Sequence, residues 1–295
     1  MFEGRYKKMY YWFLSFLFVI KILLRMFRRL FFSVFLVLLG ALVPVWAQDS
    51  VQVLLESGKI IPKVTNNYYL GDAQIRVVYA QKAGAKLIYF NMHDNENTSA
   101  QAGWQTLRES GGKLVELQHT GERNLSFNLE GKRYVVDPNR IFTPLGIKKT
   151  LETNSRYDAQ AAAEVEAFSN AVVNDFGLKR GELVVALHNN TPDSYTVKDY
   201  LPRGTYARDA TATHYVAGSD ADDFFFVTNL LHFQRLKAEG FNVALQNNAT
   251  VTDDGSFSVF CGNFGVPYIN VEAEHGHLEM QKSMIRSVIR LFANL

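Results

Sequence analysis

The sequence predicts an α/β fold: a single domain with a mixed, mainly parallel sheet flanked by helices on both faces, preceded by a signal peptide. Apolar runs of strand length alternate along the chain with longer segments of helical periodicity. Several of these runs end directly in polar clusters, as strands do at the carboxyl edge of such a sheet. The first 47 residues differ from the rest because they are mostly apolar and basic.

The leader contains two apolar runs, Tyr10 to Leu24 and Leu30 to Trp46, with basic residues at positions 25–29 between them. The second run ends in a small-x-small cleavage pattern at Ala47, so the segment from Met26 has every part of a secretory signal. We therefore predict Met26 as the true start, and an exported protein that is periplasmic or secreted. The alternative is a membrane hairpin or an uncleaved anchor.

The charge balance also depends on this leader. Residues 1–47 hold seven of the 31 Lys and Arg residues and one of the 29 Asp and Glu residues, so the remaining chain has 24 bases, 28 acids and a formal charge of −4. It lacks the basic stripe of a nucleic-acid-binding protein. Cys261 is the only cysteine. A single cysteine excludes an intrachain disulfide, and we expect the Cys261 side chain in the core.

The elements follow from periodicity and from stop signals. Strands are predicted at Gln74–Ala80, Lys86–Met92, Lys113–Gln118, Leu125–Leu129, Arg133–Val136, Glu182–His188, Asn242–Gln246, Ser256–Cys261 and Tyr268–Glu272. Helices are predicted at Thr98–Glu109, Asp158–Phe176, Asp222–Ala238 and Leu278–Ala293. Gly177 and Gly240 follow two of these helices as natural stops. The acids at 220–223 favour a helix start there.

The stretch His93-Asp94-Asn95-Glu96 follows a predicted buried strand. A His and a Glu three positions apart can turn toward one point, and imidazole nitrogen and carboxylate oxygen are ligands of catalytic zinc. Such a pair is also common as a surface or capping pair. The His-Glu-x-x-His helix motif is absent, and the inverted form fails at Asn97.

Other strand ends supply the remaining parts of a site. A fully apolar strand ends at His188, as expected for a third zinc ligand. Another strand delivers Glu272, with Glu274 two positions later. Arg140, preceded by Asn139, follows a further strand, and its planar guanidinium suits a carboxylate.

In this order, His93, Glu96, Asn139-Arg140, His188 and Glu272, the chain resembles the zinc carboxypeptidase family, including its compact succinylglutamate desuccinylase and aspartoacylase branch. The gaps of 46, 49 and 84 residues from His93 through Asn139 and His188 to Glu272 are closer to that branch. The resemblance covers residues 70–295. It implies a zinc carboxypeptidase-like catalytic domain at 71–295, which leaves an N-terminal extension at 48–70 after the predicted leader at 1–47.

The resemblance also implies the roles of the residues. One Zn²⁺ per chain would be bound by His93, Glu96 and His188. Asn139 and Arg140 would bind the substrate carboxylate. Glu272 would be the catalytic base, with Glu274 as the alternative because side chains two apart in a strand share a face.

Some features of the family are not fixed by these motifs. The arginine that supports the oxyanion is either Arg123 or Arg133, and we assign Arg123. A tyrosine near the substrate is either Tyr206 or Tyr215, in a segment, 198–219, that we expect to be a long loop.

Two positions depart from the family pattern. Ile141 stands where the family often has an asparagine. Leu187 stands where an aspartate often precedes the third ligand, so the motif supplies no carboxylate partner for His188.

The resulting expectation is an exported zinc-dependent hydrolase that cleaves an amide bond next to a free carboxylate, most simply a metallocarboxypeptidase acting on peptides. The alternatives are an N-acyl amino acid deacylase, an inert carboxylate-binding domain on the same scaffold, and a zinc-free α/β protein. The expected partner is a peptide or N-acyl amino acid with a free carboxylate. No nucleic acid is expected, and membrane contact only through the leader.

Overall fold

The computed structural model describes residues 52–56 and 59–293, with side chains from residue 63 onward. The predicted leader therefore lies outside the described residues. No helix in the described part of the chain is long and apolar enough to cross a membrane.

The described residues form one α/β domain with twelve strands. They are β1 Gln52–Glu56, β2 Lys59–Leu70, β3 Ala73–Lys82, β4 Leu87–Asn91, β5 Gly112–Gln118, β6 Leu125–Leu129, β7 Lys132–Val136, β8 Leu183–Asn190, β9 Ala210–His214, β10 Phe224–Val227, β11 Val243–Gln246 and β12 Tyr268–Glu274. The α-helices are α1 Asn97–Ser110, α2 Pro144–Asn154, α3 Ala159–Asp175, α4 Leu230–Ala238, α5 Phe257–Phe264 and α6 Leu278–Phe292.

Ten strands form one sheet in the order β1-β2-β3-β5-β4-β8-β12-β10-β11-β9, and β6 and β7 form a separate hairpin. The central strands β5, β4, β8 and β12 run parallel. So do β10 and β11. The other neighbours are antiparallel. The predicted mixed sheet is confirmed, but "mainly parallel" holds only for its centre. Residues 59–70, predicted as an extension, form β2 of this sheet.

Helices cover both faces of the sheet, as predicted. On one face, alternate residues of β4, β5 and β8 pack with α2, α3 and α5, where Ile88, Val115 and Val184 are buried. On the other face, the intervening residues pack with α1, α4 and α6, where Tyr89 and Val185 are buried. The side chains on both faces of the central strands are apolar because helices cover both faces of the sheet.

The predicted helix at Asp222–Ala238 is wrong in its first half. Residues Phe224–Val227 are β10, which is hydrogen-bonded between β12 and β11. The helix begins only at Leu230, because the Asn229 side chain accepts the Leu231 N–H and caps it. The acids at 220–223 therefore precede a strand.

The predicted strand at Ser256–Cys261 is also wrong, since these residues start α5. The Ser256 hydroxyl accepts the Val259 N–H at the helix start, and Gly265 ends the helix in the left-handed conformation. A short apolar run does not distinguish a buried strand from a buried helix. Cys261 is fully buried in α5, as expected.

Besides the strands of the predicted extension, α2 and β9 were not predicted. Thr143 caps α2, and Pro144 occupies its first position, yet the weakly apolar sequence gives little periodicity. The predicted loop at 198–219 contains β9, which pairs with β11, together with two short 3-10 turns at Val197–Tyr200 and Ala207–Asp209.

Candidate active site

The sheet register brings the predicted site residues to one edge. In β4, Asn91 pairs with Leu187 of β8, so His93 follows just beyond the position of His188. On the other side of β8, Glu272 of β12 pairs directly with His188. Parallel strands therefore deliver these side chains side by side at their carboxyl ends.

Three predicted ligands converge there. Nδ1 of His93 lies 3.2 Å from Nδ1 of His188, and the two carboxylate oxygens of Glu96 lie 2.8 Å from the first nitrogen and 3.1 Å from the second. All three side chains are buried. Two nitrogen ligands about 2.0–2.1 Å from a tetrahedral zinc lie about 3.3 Å apart, so this donor set fits zinc.

Each of the three residues also makes a hydrogen bond with a residue outside the group. Nε2 of His93 lies 2.9 Å from Oδ1 of Asp137. Glu96 accepts bonds from the Asn189 N–H and from Nη1 of Arg123. The backbone oxygen of His188 accepts from the buried Gln281 side chain. A hydrogen bond to the far nitrogen fixes which nitrogen of a histidine faces a metal, and Asp137 supplies it for His93.

The departure at Leu187 has a structural counterpart. Nε2 of His188 is buried and has no hydrogen-bond partner among the described residues. The carboxylate that the family pattern would place beside this histidine is thus not replaced by another described residue.

The electrostatics favour a cation at this point. Burial by itself lowers the pKa of His93, but the charge of Glu96 and the hydrogen bond to Asp137 raise the pKa to about 9. Burial raises the pKa of Glu96, yet the two histidines hold it well below its usual range. A bound metal ion would supply positive charge to Glu96 in place of the proton on His93.

The Asp137–Arg140 segment follows the β6–β7 hairpin as a short 3-10 turn. Its start is capped by Asp137, whose Oδ1 accepts the Asn139 N–H at 2.7 Å. The side-chain oxygen of Asn139 accepts a hydrogen bond from the Phe257 N–H at the start of α5. These bonds fix the turn between the metal-ligand candidates and α5.

Arg140 is fixed at its Nη1 and Nε atoms. Nη1 donates to the Asn139 backbone oxygen at 2.8 Å, and Nε lies 3.4 Å from Asp254. A Cβ on Gly255 would lie only 2.4 Å from the Arg140 backbone oxygen, so this close approach needs glycine, which also has a φ of +81°. Arg140 lines a cavity beside α5.

The same cavity, of about 870 Å³, is lined by Glu96, Arg123, Asn139, Arg140, His188 and Glu272. Glu272 is buried and accepts a bond from Asn270 at 2.9 Å. Burial raises the pKa of Glu272; His188 opposes this and Glu96 adds to it. A carboxyl with a raised pKa beside a metal-type donor set is suited to moving protons.

The alternative site residues differ in whether they line this cavity. Glu274 does not line this cavity and lies 3.7 Å from His277. Arg133 is on the hairpin and bonds to Ser126, away from the cavity. Tyr206 lines the cavity, whereas Tyr215 is not among its lining residues.

Asp137, Asn189 and Gln281 support the ligand candidates, although the sequence motifs assign no role to them. Asn189 joins α1, β12 and α6 through bonds to Ser99, Ala273 and Gln281. Only Asp137 carried a sequence signal, since it opens the Asp-Pro-Asn-Arg cluster.

No family model and no curated protein matches the chain. Several solved structures match it. A succinylglutamate desuccinylase/aspartoacylase from Rhodobacter sphaeroides matches with a TM-score of 0.40 and 12% identity over 81% of this chain and 67% of the other. The product-bound ectoine utilization protein EutE from Ruegeria pomeroyi gives a TM-score of 0.40 and 10% identity over 82% and 70%.

The murein-tripeptide amidase MpaA from Escherichia coli O157 gives a TM-score of 0.39 and 14% identity over 77% of this chain and 91% of the other. The similar structures thus include desuccinylase/aspartoacylase proteins and an amidase. A succinylglutamate desuccinylase/aspartoacylase, the branch that the motifs resemble, is therefore among the structures to which this chain is similar.

Proposed function

We propose that this chain is an exported zinc-dependent hydrolase that cleaves an amide bond next to a free carboxylate, as a metallocarboxypeptidase acting on peptides. The observation that carries the proposal is the convergence of His93, Glu96 and His188. Two of these residues, Glu96 and His188, line the same cavity as Glu272 and Arg140.

Zinc bound there would supply a water of lowered pKa and polarise the scissile carbonyl. Glu272 takes the proton of the attacking water and passes it to the leaving nitrogen. Arg123, which reaches Glu96 from the cavity side, stabilises charge that develops on the carbonyl oxygen. Arg140 binds the substrate carboxylate and so sets which amide bond is cleaved.

The test is hydrolysis by the zinc-loaded protein of two matched panels, short peptides with a free carboxyl end and N-acyl amino acids. Faster turnover of peptides supports the carboxypeptidase, and faster turnover of N-acyl amino acids supports the deacylase. Binding of carboxylates without turnover of either panel would support the inert domain. A protein that stays zinc-free and inactive after dialysis against a zinc salt would reject every function that depends on a bound metal.

Export rests on the leader from Met26 to Ala47. N-terminal sequencing of protein from the producing cells should give a start at Gln48. A chain that keeps residues 26–47 and sediments with membranes would indicate the anchor.

A further inference from the structure

The peptide bond between His188 and Asn189, called the 188–189 peptide below, is hydrogen-bonded at both of its polar groups. Its carbonyl oxygen, on His188, accepts from Nε2 of Gln281 at 2.8 Å. Its N–H, on Asn189, donates to Oε2 of Glu96 at 3.1 Å. A trans peptide holds the two groups in one plane and pointing in opposite directions, so a contact that fixes the carbonyl also fixes the N–H. The peptide therefore connects α6 with Glu96, directly after the predicted ligand His188.

The hydrogen bonds around this peptide determine how both side-chain amides are oriented. Oε1 of Gln281 accepts from Nδ2 of Asn189 at 2.9 Å, which leaves Nε2 to face the His188 carbonyl. The Asn189 amide is fixed in turn, because its Oδ1 accepts the Ser99 N–H at 2.8 Å. Its Nδ2 also donates to the Ala273 backbone oxygen. Since every one of these bonds pairs a donor with an acceptor, reversing either amide would oppose like groups.

The position of Gln281 is unusual for a glutamine. Its side chain is completely buried, on the face of α6 that also places Met284 and Val288 in the core. A buried amide costs free energy unless its groups are hydrogen-bonded, and an apolar side chain of similar size would fill this space without that requirement. The bonds of the Gln281 amide go to the 188–189 peptide and to the Asn189 side chain, outside its own helix.

We propose that Gln281 is a positioning residue for the predicted metal site: it holds the 188–189 peptide in the orientation that presents the Asn189 N–H to Glu96. With its oxygen bonded to α6, the peptide does not rotate to point that oxygen at the Glu96 carboxylate, where like charges would repel. The bond from Nε2 also polarises the peptide and strengthens its N–H as a donor. The inference rests on the proposed function only through the assignment of Glu96 and His188 as metal ligands.

Gln281→Met keeps the length of the side chain and removes both bonds. We expect the zinc affinity, measured by competition with a chelator, to fall about 10–100-fold, as it does when a hydrogen bond behind a metal ligand is lost. The visible spectrum of the cobalt-loaded protein, which depends on the arrangement of the ligands, should change with it. If Gln281→Met does not fold, Gln281→Asn decides by the same criterion, because its shorter amide does not reach the carbonyl.

The control separates positioning from stability. Val288→Ala, on the same face of α6, opens a cavity in the core and should lower the free energy of unfolding without changing the 188–189 peptide. Urea unfolding verifies the loss of stability, and the variant should keep the native zinc affinity and cobalt spectrum. Zinc affinity in Gln281→Met within about twofold of native, or an equal loss of affinity in Val288→Ala, would mean a purely structural role and overturn the proposal.

Native protein that binds no zinc would reject the proposed function, and hydrogen exchange then decides the orientation of the peptide. The Asn189 N–H should exchange about tenfold faster in Gln281→Met than in Val288→Ala, because only the first variant releases the peptide. Equal exchange rates in the two variants would reject the role of Gln281.

Discussion

Nε2 of His93 lies 2.9 Å from Oδ1 of Asp137, which is 44 positions later in the chain. Burial raises the pKa of the Asp137 carboxyl, but its hydrogen bond with His93 and the charges of His93, Arg123 and Arg140 hold the pKa well below its usual range. The ionised Asp137 therefore directs Nδ1 of His93 toward Glu96 and His188. The same carboxylate caps the turn that carries Arg140, so one residue connects the ligand group and the substrate anchor.

Asp137→Asn should weaken zinc binding about 10–100-fold, because an amide holds the imidazole less firmly than a carboxylate does. Competition with a chromophoric chelator measures the affinity. Asp175→Asn, on the exposed end of α3, is the matched control. Unchanged zinc affinity in Asp137→Asn would show that the contact does not support a ligand.

His188→Ala should remove most of the zinc from the purified protein, since two remaining ligands cannot complete the set of three that catalytic sites use. Elemental analysis per chain gives the readout, with one zinc expected for the native protein. His214→Ala, in the edge strand β9, serves as the control and should keep the metal. Stoichiometric zinc in His188→Ala would mean that the ligand assignment is wrong.

Glu272→Gln keeps size and shape but cannot accept a proton, so it should bind zinc and substrate while turnover falls on the order of 10²–10⁴-fold. Glu274→Gln should have a much smaller effect, because Glu274 lies outside the cavity. Steady-state kinetics on both variants separate the two carboxylates. An inactive Glu274→Gln with an active Glu272→Gln would reverse the assignment.

Arg140→Lys should reduce turnover of substrates with a free carboxylate, because an ammonium group cannot reproduce the paired bonds of a guanidinium. Amidated versions of the same substrates should be poor for the native protein. The comparison needs kcat/KM for free and amidated pairs with both proteins. Equal turnover of the two forms by the native protein would remove Arg140 from the site and favour an endopeptidase.

A separate prediction concerns stability and His232, which packs on the Phe292 ring. Burial lowers the pKa of His232 to about 4. The unfolded chain, with a His pKa of about 6.5, therefore binds this proton first as pH falls, and the free energy of unfolding drops between pH 6.5 and 4 by up to about 3 kcal/mol. His232→Phe should lose this part of the acid sensitivity. Urea unfolding at several pH values measures it, and equal slopes for both proteins would contradict it.

Some of the fold followed from the sequence because the signals are local. The fully apolar run at 183–187, in β8, has the composition of a buried strand, and Asp158 caps α3 within three residues of itself. The errors occurred where local signals are ambiguous. Phe224–Val227 becomes a strand only because β12 and β11 lie on either side of it, and Phe257–Phe264 becomes a helix because Ser256 caps it.

For the site, the sequence by itself determined the residue types and their order: a His and a Glu after one strand, a His at the end of another, an Arg after a hairpin and a Glu in the last strand. It could not determine distances between segments 44 to 179 residues apart, because those depend on strand order and register. Only the tertiary structure placed Glu272 opposite His188, put Glu274 outside the cavity, and made Asp137 the partner of His93. These contacts are made between elements distant in sequence, and no local pattern encodes them.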